Sequence, residues 1–141
     1  MTLDPKTGDV VIGPKRFGRS LNEPEFLSSV EGKSARNVRR TASRSYYELW
    51  TADDPGREAG AVFAFSLGGK LQRIRLKLVK AELRASISAT WSKAIEDETK
   101  VFHDEWLHQQ LGSPPYNFSW GRAASIVDQH GYSAVIIISY A

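Results

Sequence analysis

The chain has 141 residues, 41% hydrophobic and 25% charged, with a net charge of +3; this is enough for one core, short for two domains, and too weakly basic to imply a nucleic-acid or membrane-surface protein. The absence of cysteine excludes a disulfide scaffold, a thiolate zinc site and a thiol nucleophile, and four Trp with 11% aromatic residues exclude a typical disordered chain. Met1 is followed by no basic and then apolar leader, and no apolar run approaches the roughly 20 residues of a membrane span, so the expectation is one soluble, cytoplasmic domain over residues 1–141.

In chain order, Val10-Val11-Ile12 between Gly8, Gly13 and Gly18 reads as a short strand. Asn22 with Glu25 three residues later, and Pro24 between them, predicts a helix start, with Phe26, Leu27 and Val30 as its apolar face and Gly32 as its end. Residues 33–45 hold Lys33, Arg36, Arg39, Arg40 and Arg44 without an apolar period, which predicts a loop. Tyr46 to Trp50 has strand composition, and Asp53-Asp-Pro-Gly56 has turn chemistry. Two runs, 61–67 and 71–79, flank Gly68-Gly69 and predict a hairpin. In the second run Ile74, Leu76 and Leu78 alternate with Arg73, Arg75 and Lys77, so one sheet face is expected to be wet and basic.

From about Thr90 to Leu111 the period becomes helical, with Ile95, Phe102, Trp106, Leu107 and Leu111 on one arc and Glu96, Asp97 and Glu98 near the start. Gly112, Pro114 and Pro115 end it. A strand over 116–127, a turn Asp128-Gln-His-Gly131 and an apolar strand over 132–140 follow, the last of them predicted to lie centrally in its sheet. Both halves, 22–79 and 91–140, read as a helix followed by a hairpin, a degenerate two-fold repeat. The expected fold is therefore α+β: an antiparallel sheet of about five or six strands with two main helices on one face.

Candidates for chemistry are few. His103 and His108 are five apart, too far round the helix to share a metal, and His103 inside the apolar arc reads as a core-edge histidine with one hydrogen bond. His130 beside Asp128 would suit a metal-free hydrolase only if His103 or Arg122 converged on it. No catalytic residue, metal site or cofactor is assigned. Charge is uneven: residues 1–95 hold 17 Lys or Arg against 10 acids, and residues 96–141 hold 2 against 6. Tyr46, Trp50, Arg73, Arg75 and Lys77, with Arg39 and Arg40 from the basic run, form the candidate binding face. A protein partner is the first reading for it and RNA the second. Trp120 before Gly121 reads as a core ring packed against a close backbone.

The stretch Phe102 to Pro114, Phe118-Ser-Trp-Gly121, Ser125, Asp128, Gly131 and Ala134 to Tyr140, with Gly8 and Phe26 to Ser29, resembles an uncharacterised family of small bacterial proteins of toxin-immunity type. The helix-plus-hairpin repeat also resembles β-lactamase inhibitor proteins, whose sheet face grips another protein. These resemblances imply a non-catalytic inhibitor whose partner is a protein, such as a cognate toxin; the shortness of the apolar runs predicts no membrane partner.

Overall fold

The computed structural model describes residues 1–80 and 92–141; the first two residues of the expected long helix, Thr90 and Trp91, lie outside them. The fold is α+β and its sheets are antiparallel. A small sheet of three short strands, β1 (Thr2–Leu3), β2 (Val10–Ile12) and β3 (Lys15–Phe17), opens the chain. Two short helices follow, α1 (Glu23–Ser28) and α2 (Val30–Ser34), then four strands, β4 (Arg36–Arg40), β5 (Arg44–Asp54), β6 (Arg57–Ser66) and β7 (Leu71–Lys80). The long helix α3 (Lys93–Leu111) leads to β8 (Tyr116–Phe118), β9 (Gly121–Asp128) and β10 (Ser133–Tyr140). The last seven strands form one sheet in the order β4-β5-β6-β7-β10-β9-β8. Its two halves are meanders whose final strands, β7 and β10, pair antiparallel at the centre.

Several local expectations need correction. Residues 33–45 are not a loop: they finish α2 and form β4, which pairs with β5 from Arg36↔Glu48 to Arg40↔Ser45. All five β4 residues are exposed, so neither face had to be apolar and no period was written into the sequence. Gly32 does not end the first helix. Extended Ser29 interrupts it, and the Ser29 hydroxyl accepts from the Gly32 N–H at 3.0 Å, capping α2. The strand expected over 116–127 is divided by Ser119 and Trp120 into β8 and β9. Gly121, at φ +143° with the Ser139 carbonyl 2.0 Å from where a Cβ would stand, makes that corner in a conformation other residues avoid.

Side-chain alternation divides the main sheet into a face covered by the described helices and a face that they leave uncovered. Tyr47, Phe63, Ile74 and Ile138 form one buried rung of the covered face, and Leu49, Ala61, Leu76 and Ile136 the next. Phe26 from α1 and Phe17 from β3 pack on this face at ring distances of 5.0–6.3 Å from Phe63, Phe65, Tyr47 and each other. Trp106 and Leu107 of α3 complete the core. Trp120 is buried, as its sequence context predicts, and its indole N–H donates to the Pro5 carbonyl at 2.9 Å, fastening the small sheet to the large one.

Buried Glu23 ties α1 to the sheet: it accepts from the Tyr47 hydroxyl at 2.5 Å and the Gly68 N–H at 2.7 Å. Burial pushes its carboxyl up. The hydrogen bonds from Tyr47, Gly68 and Ser45, together with the Arg40 charge, outweigh that and hold it below the usual carboxylate range.

Candidate protein-binding face

Strand register fixes what the uncovered face presents. Across one rung stand Arg39, Tyr46, Ala64, Arg73, Ser139 and Arg122, each directly paired with the next. The neighbouring rung carries Arg36, Glu48, Val62, Arg75, Ile137 and Ala124, and a third carries Trp50, Gly60 and Lys77. No described helix packs against these residues, because α1, α2 and α3 all cover the opposite face.

Five of the seven residues singled out in the sequence therefore share one surface: Arg39, Tyr46, Trp50, Arg73 and Arg75. The Arg39 guanidinium stands over the Tyr46 ring at 5.6 Å. Arg36 pairs with Glu48 at 2.9 Å, and Arg75 with Asp128 at 3.0 Å. Arg73 and Arg122, like Arg39, are exposed cations of the first rung. The Trp50 ring lies against Gly60, where a Cβ would stand 2.7 Å from it, so glycine is what allows the indole to rest on the sheet. Beside it, a hollow of about 140 Å³ opens between Trp50, Val62, Arg75 and Val135.

The other two do not belong to this surface in the expected way. Arg40 pairs with Ser45 and so projects from the covered face, where its guanidinium is 3.9 Å from Glu23. Lys77 is not a solvated cation: its side chain is 18% exposed. Pairing between β7 and β10 ends at Leu76↔Ile136, and Lys77 fills the gap beyond it. Its ammonium pairs with Glu96 of α3 and donates to Ser133 Oγ at 2.8 Å and the Ala134 carbonyl at 3.3 Å. Alternation correctly places the Lys77 Cβ but says nothing about a gap through which four methylenes reach a carboxylate.

The histidines show no converging constellation. His103 is fully buried, and its Nε2 accepts from the Leu78 N–H at 3.0 Å. Burial, with the Lys77 charge, pushes it down to about 4. His108 and His130 are exposed. Asp128 Oδ1 accepts from the His130 backbone N–H at 2.9 Å while Oδ2 faces Arg75, so both carboxylate oxygens are engaged in the turn and the ion pair. No group of three or more His, Asp or Glu able to hold a metal occurs among the described residues. None of their helices is long and apolar enough to cross a membrane.

Sequence reasoning missed Arg122, Val62 and Ile137 on the uncovered face. Val62 and Ile137 sit in runs where both neighbours are also apolar, so period two is invisible there. Arg122 alternates with Ala124 and Ile126, a signal legible only once β9 is known to start at Gly121. Comparison with known proteins finds no matching family model, no matching curated protein and no matching solved structure.

Proposed function

We propose that the chain is a non-catalytic protein-binding module, an immunity or inhibitor protein that grips a toxin or enzyme with the uncovered face of its seven-stranded sheet. The observation that carries this reading is the alignment of Trp50, Tyr46, Arg39, Arg73 and Arg75 on one surface that none of the described helices covers. Tyr, Trp and Arg are the residues most enriched where protein interfaces concentrate their energy, because each offers a large, rigid area with a directional polar end. The sheet holds them at fixed spacing, so little ordering cost accompanies binding. The resemblance of α3, β9 and β10 to the toxin-immunity type supports the same class of partner. Net positive charge favours an acidic partner surface, and the cytoplasm is the compartment in which the protein would act.

The test is calorimetric titration against the product of the adjacent gene, with Trp50→Ala as the probe. Stoichiometric binding that weakens at least about tenfold in the variant, with unchanged thermal unfolding, is the expected result for a ring at the centre of an interface. RNA is the second reading, favoured by the Arg39 to Tyr46 stack and the basic rung. Binding to RNA with a steep salt dependence, abolished by the Arg73→Ala, Arg75→Ala double variant, would put that reading first.

A further inference from the structure

The two outer strands of the large sheet are finished in opposite ways. At one edge β4 presents Arg36, Arg39 and Arg40, the charged side chains by which sheets discourage further pairing. At the other, β8 pairs with β9 only from Tyr116↔Ala123 to Phe118↔Gly121. Among the described residues nothing pairs with the outer side of β9 from Ala124 to Asp128. That segment reads Ala-Ser-Ile-Val-Asp, and its single charge is already held by Arg75. It has neither Lys, Pro nor bulge. An open cleft of about 770 Å³ runs beside it, walled by Lys100, Asp104 and His108 of α3 and closed at one end by Pro114 and Pro115.

We infer that two copies of the chain pair antiparallel, edge to edge, through Ala124–Asp128 of β9, making one continuous fourteen-stranded sheet. Three observations favour a second copy as the occupant. The first is register. A two-fold axis at Ile126 sets Ile126 opposite Ile126, Ser125 opposite Val127 and Ala124 opposite Asp128, with no like charges facing, and it covers an isoleucine left 40% exposed.

The second is helix spacing. α3 lies over β10 and β9. With strands about 4.8 Å apart, joining two edges brings the two α3 axes to roughly 10 Å, the separation at which helices pack.

The third is the surface that would then meet. Asp97, Val101, Asp104 and His108 follow one another at spacings of four, three and four, a single ridge on the flank of α3 towards the free edge. Val101 is 57% exposed on it. Lys100 and Asp104 now pair within one helix at 2.7 Å. Asp104 lies beside Ser125, close to the axis, so each Lys100 would also reach the Asp104 of the other copy. The inference is independent of the function proposed above, since Trp50 on β5 is four strands away from β9.

Light scattering on the eluting full chain gives the first test: the expected mass at up to about 100 μM, a range that populates weak dimers, is twice the 15.7 kDa of one chain. Ile126→Lys, which sets two cations face to face, is expected to elute as one chain with an unchanged circular dichroism spectrum. Ile126→Cys gives the second test, because the protein has no cysteine of its own and directly opposed strand residues are within disulfide reach. Mild oxidation is expected to crosslink it to a covalent dimer and to leave Leu67→Cys, equally exposed but remote, uncrosslinked. A wild-type mass of one chain, a dimer that survives Ile126→Lys, or an Ile126→Cys chain that stays single under oxidation overturns the inference.

Discussion

Leu78 lies on β7 beyond the point where β10 has parted from it, and its N–H is satisfied by the His103 imidazole instead of by a strand. An imidazole accepts there only while Nε2 is unprotonated, so burial and the hydrogen bond both demand the neutral ring. Lys77 and Lys100 disfavour the imidazolium as well, and among the described residues Asp104 is the charge that favours it. The folded value of about 4 lies below the ordinary 6.5. Between those values the unfolded chain binds a proton that the folded chain refuses, so stability is full above pH 6.5 and falls as pH drops towards 4. A shift of this size corresponds to about 3 kcal/mol. Urea unfolding at pH 7 and pH 4 is expected to show a loss of that order in the wild type. His103→Gln, which keeps an acceptor for Leu78 without a titratable ring, should lose distinctly less over the same window. Equal losses in both would remove His103 as the cause. Glu23 adds a separate acid loss at lower pH, since its folded carboxyl lies below 4.5.

At the scale of elements, the seam between β7 and β10 is held by hydrogen bonds along four residue pairs and then by the pairing of Lys77 with Glu96. Glu96 also accepts from the Ala134 N–H at 3.2 Å, so the first turn of α3 stands in for the missing rungs of both strands. Removing one member of so enclosed a pair strands the other charge away from water, which is the expensive way to break it. Glu96→Ala is expected to cost about 3 kcal/mol in urea unfolding, and the Lys77→Met, Glu96→Leu double variant to recover most of that loss. Recovery by the double variant is the outcome that separates a charge penalty from a simple loss of packing.

This seam also shows where a sequence stops being readable. The α+β class, the hairpin at Gly68-Gly69, the central last strand and the buried Trp120 all follow from local pattern: alternation, turn chemistry and apolar period. The face shared by Tyr46, Trp50, Arg73 and Arg75 was legible for the same reason, since period two fixes the side on which a strand residue stands. Strand β4 was not, because an exposed edge imposes no pattern on its residues. Lys77 was misread because its partner, Glu96, stands on another element sixteen residues beyond the end of β7, which no local period encodes.

Over the whole molecule, the described helices all lie on one side of the large sheet and the charge is divided along the chain, with the first 95 residues basic and the last 46 acidic. The consequence for binding is a division of labour on the uncovered face. On the function proposed above, Arg73 and Arg122, exposed cations of one rung, draw an acidic partner in, while Trp50 beside its hollow holds it. Exposed charges act mainly on encounter and are screened over about 8 Å at physiological salt, whereas a buried ring acts on the lifetime of the complex. Rate-resolved binding to the partner should therefore separate them. The Arg73→Ala, Arg122→Ala variant is expected to associate several-fold more slowly at low salt, to lose most of the wild type's salt dependence of association, and to dissociate at nearly the wild-type rate. Trp50→Ala should associate normally and dissociate at least about tenfold faster. If the arginine variant instead alters only dissociation, the basic rung makes short-range contacts within the complex, and steering by the field of the face is refuted.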